Sequence, residues 1–264
     1  MSKIETNKAV VTVDTTKSNL PAGWEDMAND AGAGLGNTTS ADYAIPFVSI
    51  LQALSPQLNK QDGAYIKGAE SGQVFNSVTK ATVEGEVGIR VVPVAYVFKN
   101  VEWKPREQGG GFVAAYTREE SPRDVTRDDR GRDILSNGNL LTATAYYYCL
   151  LLHDDGSFEQ AVISMSSTQL KKSRTWNSMM SQIKLRGPKG LFTPPTYSHI
   201  YRLKTVPESN NNGNWYGWAI SNEGMLDDRD IYVAAKEFSA SVLSGAVEAK
   251  HTTVDAAPAE DVPF

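Results

Sequence analysis

Residues 140 to 152 read Leu-Leu-Thr-Ala-Thr-Ala-Tyr-Tyr-Tyr-Cys-Leu-Leu-Leu, a run with no Gly, no Pro and no charge. Apolar, aromatic and β-branched residues continuous over this length predict a central strand. Asp154-Asp155-Gly156 supplies the turn into a partner strand over Phe158 to Met165. Upstream, Ile89, Val91, Val92, Val94, Tyr96, Val97 and Phe98 make Gly88 to Phe98 a second strong strand. Trp103-Lys104-Pro105-Arg106 and the glycines 109 to 111 then lead into Phe112 to Tyr116, a hairpin with a mobile tip.

Downstream, Ser166, Ser167 and Thr168 offer a helix cap before the helical stripe Leu170, Trp176, Met179, Met180 and Ile183, which Gly187-Pro188 ends. Strands resume over Ser198 to Val206 and Trp215 to Ile220, joined by a turn from Glu208 to Asn214. A last helix spans about Asp228 to Val247, with Ile231, Ala235, Phe238 and Val242 facing the core and Asp227-Asp228 favouring its amino end.

Before the first strong strand, Tyr43 to Leu54 suits a short helix or strand, and Asp62-Gly63 with Ser71-Gly72 suggests a hairpin through Tyr65 and Lys67. Residues 117 to 139 read as a loop in which Arg118, Arg123, Arg127, Arg130 and Arg132 alternate with six acids. These elements give a mainly β fold with α additions: an OB-like antiparallel barrel elaborated by an inserted basic helix and a C-terminal helix. A generic α+β sheet is the alternative. Residues 1–41 are read as a flexible arm, 42–247 as the OB-like domain and 248–264 as a disordered acidic tail. Gly32, Gly34 and Gly36 are not a dinucleotide loop, because no strand precedes them.

Composition removes several classes. No stretch has the apolar length of a membrane helix, and the first residues lack a signal-peptide core, so the cytoplasm of a cell is the expected location. The single Cys149 lies inside the apolar strand and is expected to be buried, so no intrachain disulfide or zinc finger is expected. His153, His199 and His251 are too dispersed to suggest a metal site, and no cofactor is expected.

The net charge of −5 hides a strong asymmetry. Residues 160 to 207 carry eight Lys or Arg and no acid, while residues 208 to 264 sum to −7 and the first 159 to −6. Forty-eight residues without a carboxylate point to an anion-binding surface rather than an ordinary solvated face.

Holding single-stranded nucleic acid without reading its sequence requires cations for phosphates and flat rings for bases. The cations are Lys171, Lys172 and Arg174 at the start of the inserted helix, Lys184, Arg186 and Lys189 near its end, and Arg202 and Lys204 on one face of the next strand. The candidate rings are Trp103, Phe112 and Tyr116 beside Lys104 and Arg106, together with Trp176 and Tyr201. At least one of Tyr146, Tyr147 and Tyr148 is expected in the core, and Trp215 and Trp218 cannot share a strand face.

The chain ends Glu260-Asp261-Val262-Pro263-Phe264, acids followed by an apolar residue, a rigid proline and a terminal aromatic carboxylate. Such a tail suits capture by a basic pocket on a partner protein. It is similar to the acidic tip of bacterial single-stranded DNA-binding proteins, which ends in Ile-Pro-Phe where this chain has Val262-Pro263-Phe264. The body resembles single-stranded DNA-binding proteins of tailed bacteriophages over about residues 43 to 240. The residues carrying that resemblance are Ile45-Pro46-Phe47, Leu54-Ser55-Pro56, Trp103-Lys104-Pro105-Arg106, Gly109 to Phe112, Ser167 to Arg174 and Gly213-Asn214-Trp215.

The resemblance implies an OB fold and strand protection in the host cytoplasm during phage replication and recombination. It also implies recruitment of replication proteins through the tail. Self-association along DNA is compatible with it, and no enzymatic activity is expected.

Three rivals remain at this level. A single-strand annealing recombinase would also bind unpaired strands. A metal-dependent nuclease could use Glu102 and Lys104, but Asp124, Asp128, Asp129 and Asp133 are interleaved with arginines in a loop. A virion structural protein would show no preference for single strands.

Overall fold

A computed structural model describes residues 21, 23–38, 43–129, 131–210 and 213–249; the side chains of Glu25 and Arg106 lie outside the description. Within the segment read as an N-terminal arm, a 3-10 helix spans Glu25–Asp30 and turns follow it. The remainder of that arm, and all of the tail after residue 249, lie outside the described residues.

The strands are β1 (Phe47–Ile50), β2 (Val74–Asn76), β3 (Thr82–Val83), β4 (Ile89–Trp103), β5 (Phe112–Tyr116), β6 (Val125–Arg127), β7 (Asp133–Leu135), β8 (Leu140–Leu152), β9 (Phe158–Ser166), β10 (Leu185–Gly187), β11 (Gly190–Phe192), β12 (His199–Asn210) and β13 (Gly213–Met225). Helix α1 covers Gln169–Gln182 and α2 covers Arg229–Leu243. One mixed sheet runs in the order β13-β12-β4-β8-β9-β1-β2-β3, and β10-β11 forms a separate two-stranded sheet.

The apolar run Leu140–Leu152 is the middle of this sheet. β8 pairs antiparallel along its whole length with β4 on one side, and on the other with β9 from Thr144 to Leu152 and with β7 at Leu140 and Leu141. Side chains alternate along a strand, so Tyr146 and Tyr148 enter one core and Tyr147 the other. All three tyrosines are therefore interior, where the sequence required only one. On the first face, Val92, Val94, Leu150 and Val162 pack against Ala235, Phe238 and Val242 of α2. On the second, Val91, Ala145, Ile163, Tyr201 and Leu203 pack against Trp176 and Met180 of α1.

The sheet curls so that its two ends meet. The side-chain amide of Gln52, just past β1, donates to the Tyr216 carbonyl at 2.9 Å and accepts from the Tyr216 N–H at 2.9 Å. On β12, the Thr205 N–H donates to the Gly85 carbonyl at 3.0 Å and its hydroxyl to the Gly72 carbonyl at 2.5 Å. Gly85 is required by this contact, since a Cβ there would lie 1.9 Å from the Thr205 hydroxyl. The result is a curled half-barrel, β-dominated, with α1 packed on its inner face and α2 on its outer face.

Several local expectations are corrected. Residues 62–72 form turns, not the hairpin expected through Tyr65 and Lys67, and β2 instead pairs with β1. Segment 117–139 contains the β6-β7 hairpin rather than a plain loop. Thr168 adopts helical angles and makes no cap bond, so α1 begins uncapped. α1 also stops at Gln182, earlier than Gly187-Pro188, because Ile183 turns extended into β10. By contrast Asp228 caps α2 as its position suggested, accepting from the N–H groups of Asp230 and Ile231.

Candidate nucleic-acid interface

The acid-free segment folds as the end of β9, then α1, the β10-β11 hairpin and β12. Helical spacing sorts α1 into two faces. Ser173, Trp176 and Met180 are buried, while Lys171, Arg174, Ser178 and Ser181 lie outward. Lys171 and Lys172 stand in the first turn, which contains no acid. Cations at a helix amino end oppose the backbone dipole, so this placement costs the isolated helix stability and adds to a field that attracts anions.

Elsewhere among the described residues four cations sit in ion pairs, while others, such as Lys60, Lys67, Lys80, Arg123 and Lys236, sit in none. Arg90 pairs with Glu223, Lys99 with Glu248, Arg127 with Asp133 and Arg132 with Asp128. Inside the acid-free segment, Lys172 reaches Glu208 at 2.5 Å and Arg202 reaches Glu223. Glu223 lies between Arg202 and Arg90; burial raises its carboxyl pKa, but the two guanidiniums outweigh that and hold it below the usual range. Among the described residues, no carboxylate pairs with Lys171, Arg174, Lys184, Arg186, Lys189 or Lys204.

These cations do not form the single surface that the sequence suggested. Tyr201 and Leu203 enter the inner core with α1, so Arg202 and Lys204 point to the opposite side of the sheet. Lys171 and Arg174 lie on the outward face of the amino-terminal half of α1, and the hairpin cations follow its other end, where the Lys184 ammonium bonds both Thr193 beyond β11 and the Ser181 carbonyl.

The ring expectations need larger correction. Trp103 is 3% exposed and Trp176 and Tyr201 are wholly enclosed, so none presents a face to a nucleic-acid strand. Phe112 is half-buried, edge-on to Trp103 at 5.9 Å. The half-buried Tyr116 donates its hydroxyl to Glu102 at 2.6 Å, and that bond is the main reason its own pKa is raised. Lys104 is exposed, but it stands on the β4-β5 arm, away from α1. The Arg106 side chain and the tail residues Glu260, Asp261, Val262, Pro263 and Phe264 lie outside the described residues.

Glu102 is a buried anchor. Its carboxylate accepts from Asn137 at 2.9 Å, from Asn139 and from Tyr116. Burial raises its pKa, but the three hydrogen bonds together overcome that and leave it below the ordinary carboxylate range. Its oxygens are committed to joining β4, β5 and the β7-β8 turn, and among the described residues no three His, Cys, Asp or Glu side chains are grouped to hold a metal. His199 is a buried residue beside Ser198 with its pKa lowered by burial, and Cys149 is enclosed, as its strand position suggested.

The structure supplies a ring surface that sequence reading missed. Tyr96 and Phe98 share the inner face of β4, opposite Tyr147 and Ala145 of β8. Tyr96 is 37% exposed and meets Tyr147 edge-on at 5.3 Å; Tyr147 in turn stacks on Trp176 at 4.3 Å and 27°. The Tyr147 hydroxyl bonds to Ser173 and Asn177 of α1, which fixes the helix beside this shelf. The guanidinium of Arg118 lies 3.5 Å from the centre of the Phe98 ring. The cue available in the sequence was the i, i+2 spacing of two rings in the strong strand Gly88 to Phe98.

No described helix is long and apolar enough to cross a membrane. Searches among curated proteins and among solved structures each returned no match. A family model described as Pam3 phage gp34-like protein matches residues 15–248, most of the chain and all of its sheet and helices. This protein therefore belongs to the Pam3 phage gp34-like family.

Proposed function

We propose that this phage protein binds single-stranded DNA without sequence preference. In this reading it shields the strand during phage replication and recombination in the host cytoplasm and recruits replication proteins through Glu260 to Phe264. The observation that carries the reading is the concentration of Lys171, Arg174, Lys184, Arg186 and Lys189 on α1 and the β10-β11 hairpin, in a stretch from 160 to 207 that holds no acid, with no described carboxylate paired to any of the five. Backbone phosphates would follow Lys171 and Arg174, releasing counterions. Bases would lie on the neighbouring shelf of Tyr96 and Phe98, where stacking tolerates any sequence.

Topology supports the same reading. Leaving aside the additions, β4, β8, β9, α1, β12 and β13 follow one another in the chain, and their spatial order is fifth, fourth, first, second, third. We read that order, with a helix between the third and fourth strands, as support for an OB-like barrel, a fold suited to oligonucleotides. The outer face of the second and third strands, where such folds commonly bind, is here covered in part by α2. The inner shelf beside α1 is accordingly the better candidate.

The test is a fluorescence-anisotropy titration of labelled oligo-dT and of a matching duplex at two salt concentrations. Binding to oligo-dT that greatly exceeds duplex binding and weakens steeply with salt is expected. Equal affinity for both, or none for oligo-dT at low salt, would overturn the proposal.

A further inference from the structure

The β10-β11 hairpin stands outside the main sheet, with register Leu185 to Phe192, Arg186 to Leu191 and Gly187 to Gly190. Two three-residue strands are marginal in water on their own, and apolar side chains normally help to hold such a ribbon against a core. Here the apolar side chains point away. Leu191 is 66% exposed and Phe192 is 47% exposed, next to each other at the end of the hairpin. The ribbon is held at its base instead, through Lys184 on Ser181 and Thr193.

The Phe192 ring has a defined seat. A Cβ on Gly187 would come within 3.2 Å of it, a tight contact, so the ring lies close against the backbone of Gly187. One side of the ring is thus supported by the ribbon while much of the ring remains open. Arg186 and Lys189 are exposed within the same few residues, and no described carboxylate pairs with either. By strand alternation the ring stands on one face of the ribbon, Arg186 on the other and Lys189 in the turn between. A single strand that wraps the narrow ribbon can therefore lay a flat base on the ring and its adjoining phosphates on the cations. A duplex does not offer that base face unless it is unstacked.

We infer that the β10-β11 hairpin is a second contact point for the DNA strand, with Phe192 stacking on an unpaired base and Arg186 and Lys189 holding the flanking phosphates. This inference rests on the proposed single-strand binding and extends the path from the α1 surface out to the ribbon.

The experiment is an oligo-dT titration at two salt concentrations with wild-type protein, Phe192→Ala, Phe192→Trp and the double variant Arg186→Ala/Lys189→Ala, each checked for an unchanged melting temperature. Phe192→Ala should weaken binding about ten-fold without altering the salt slope, because stacking releases no counterions. The double variant should flatten that slope by roughly 1 to 1.5. Phe192→Trp should retain affinity and show emission, above the wild-type background, that oligo-dT quenches. Wild-type affinity and slope in both Phe192→Ala and the double variant would overturn the inference while leaving single-strand binding intact. A Phe192→Ala protein that binds normally but loses self-association on a sizing column would overturn it in favour of a contact between copies. If wild-type protein itself ignores oligo-dT, the parent proposal fails, and this one with it.

Discussion

Tyr147 and Tyr201 are both enclosed in the inner core, yet their hydroxyls stand in opposite positions. Tyr147 bonds to the Ser173 carbonyl at 2.9 Å, the Ser173 hydroxyl at 2.8 Å and Asn177 at 2.8 Å. The Tyr201 hydroxyl has no partner among the described residues, and burial pushes its pKa up to about 12. Removing a satisfied buried hydroxyl strands its partners, whereas removing an unsatisfied one relieves a desolvation cost. Tyr147→Phe is therefore expected to lower stability by about 1 to 2 kcal/mol, and Tyr201→Phe to leave it unchanged or raise it, in urea unfolding. Glu102 gives a pH-dependent counterpart. Its folded pKa lies below the unfolded value, so its contribution is complete above the unfolded pKa and is lost as pH falls through the folded one. Glu102→Gln should cost about 1 to 3 kcal/mol at neutral pH, and the gap from wild type should close below about pH 4, as read from melting curves against pH. At this scale the sequence was least informative. Trp176 and Tyr201 looked like surface rings because cations surround them in the chain, but alternation on β12 and the 3-4 spacing of α1 turn those cations outward and the rings inward.

Among the elements, the strands flanking the turn at Asp154-Asp155-Gly156 were legible because apolar runs of that length leave little choice. β4, β12 and β13 extend beyond their apolar stretches because backbone pairing with a neighbour carries polar residues along. The β10-β11 hairpin was not legible: Leu185 to Phe192 lacks alternation, and Gly187-Pro188 reads equally well as a helix stop or a turn. The basic start of α1 was legible as charge but not as pairing, since Glu208 is remote in sequence and reaches Lys172 only through β12. That pairing separates residues which look equivalent in the sequence. Lys172 is already neutralised, while Lys171 and Arg174 are available to phosphates. Lys171→Ala combined with Arg174→Ala should lower the salt slope of oligo-dT binding by roughly 1 to 1.5, and Lys172→Ala alone by clearly less than the roughly 0.7 that one phosphate contact contributes. A loss of about 0.7 for Lys172→Ala would show that Glu208 leaves Lys172 when DNA binds.

At the scale of the molecule, the fold closes on itself after α2. Val247 packs into the outer core, Glu248 pairs with Lys99, and the Ala249 N–H donates to the Tyr148 hydroxyl at 2.9 Å. Residues 248 and 249, expected at the start of the tail, thus still contact the fold. These contacts lock α2 over β4 and β8, and they divide the C-terminal region into a part that stabilises the fold and a part that carries charge. A chain ending at Ala249 should melt like the full protein. One ending at Leu243 loses the Val247 burial and the Tyr148 hydrogen bond, together about 2 to 3 kcal/mol. The shorter loss should appear in melting temperature; the longer chain should differ only in binding. Residues 250 to 264 hold Asp255, Glu260 and Asp261 against Lys250, so they carry net negative charge. If that charge competes with DNA for Lys171, Arg174 and the hairpin cations, removing it should tighten oligo-dT binding at low salt, and the gain should vanish near 0.5 M, where screening is within a few ångströms. Tightening that persists at high salt would instead assign the effect to a steric block, and no tightening at low salt would remove the competition altogether.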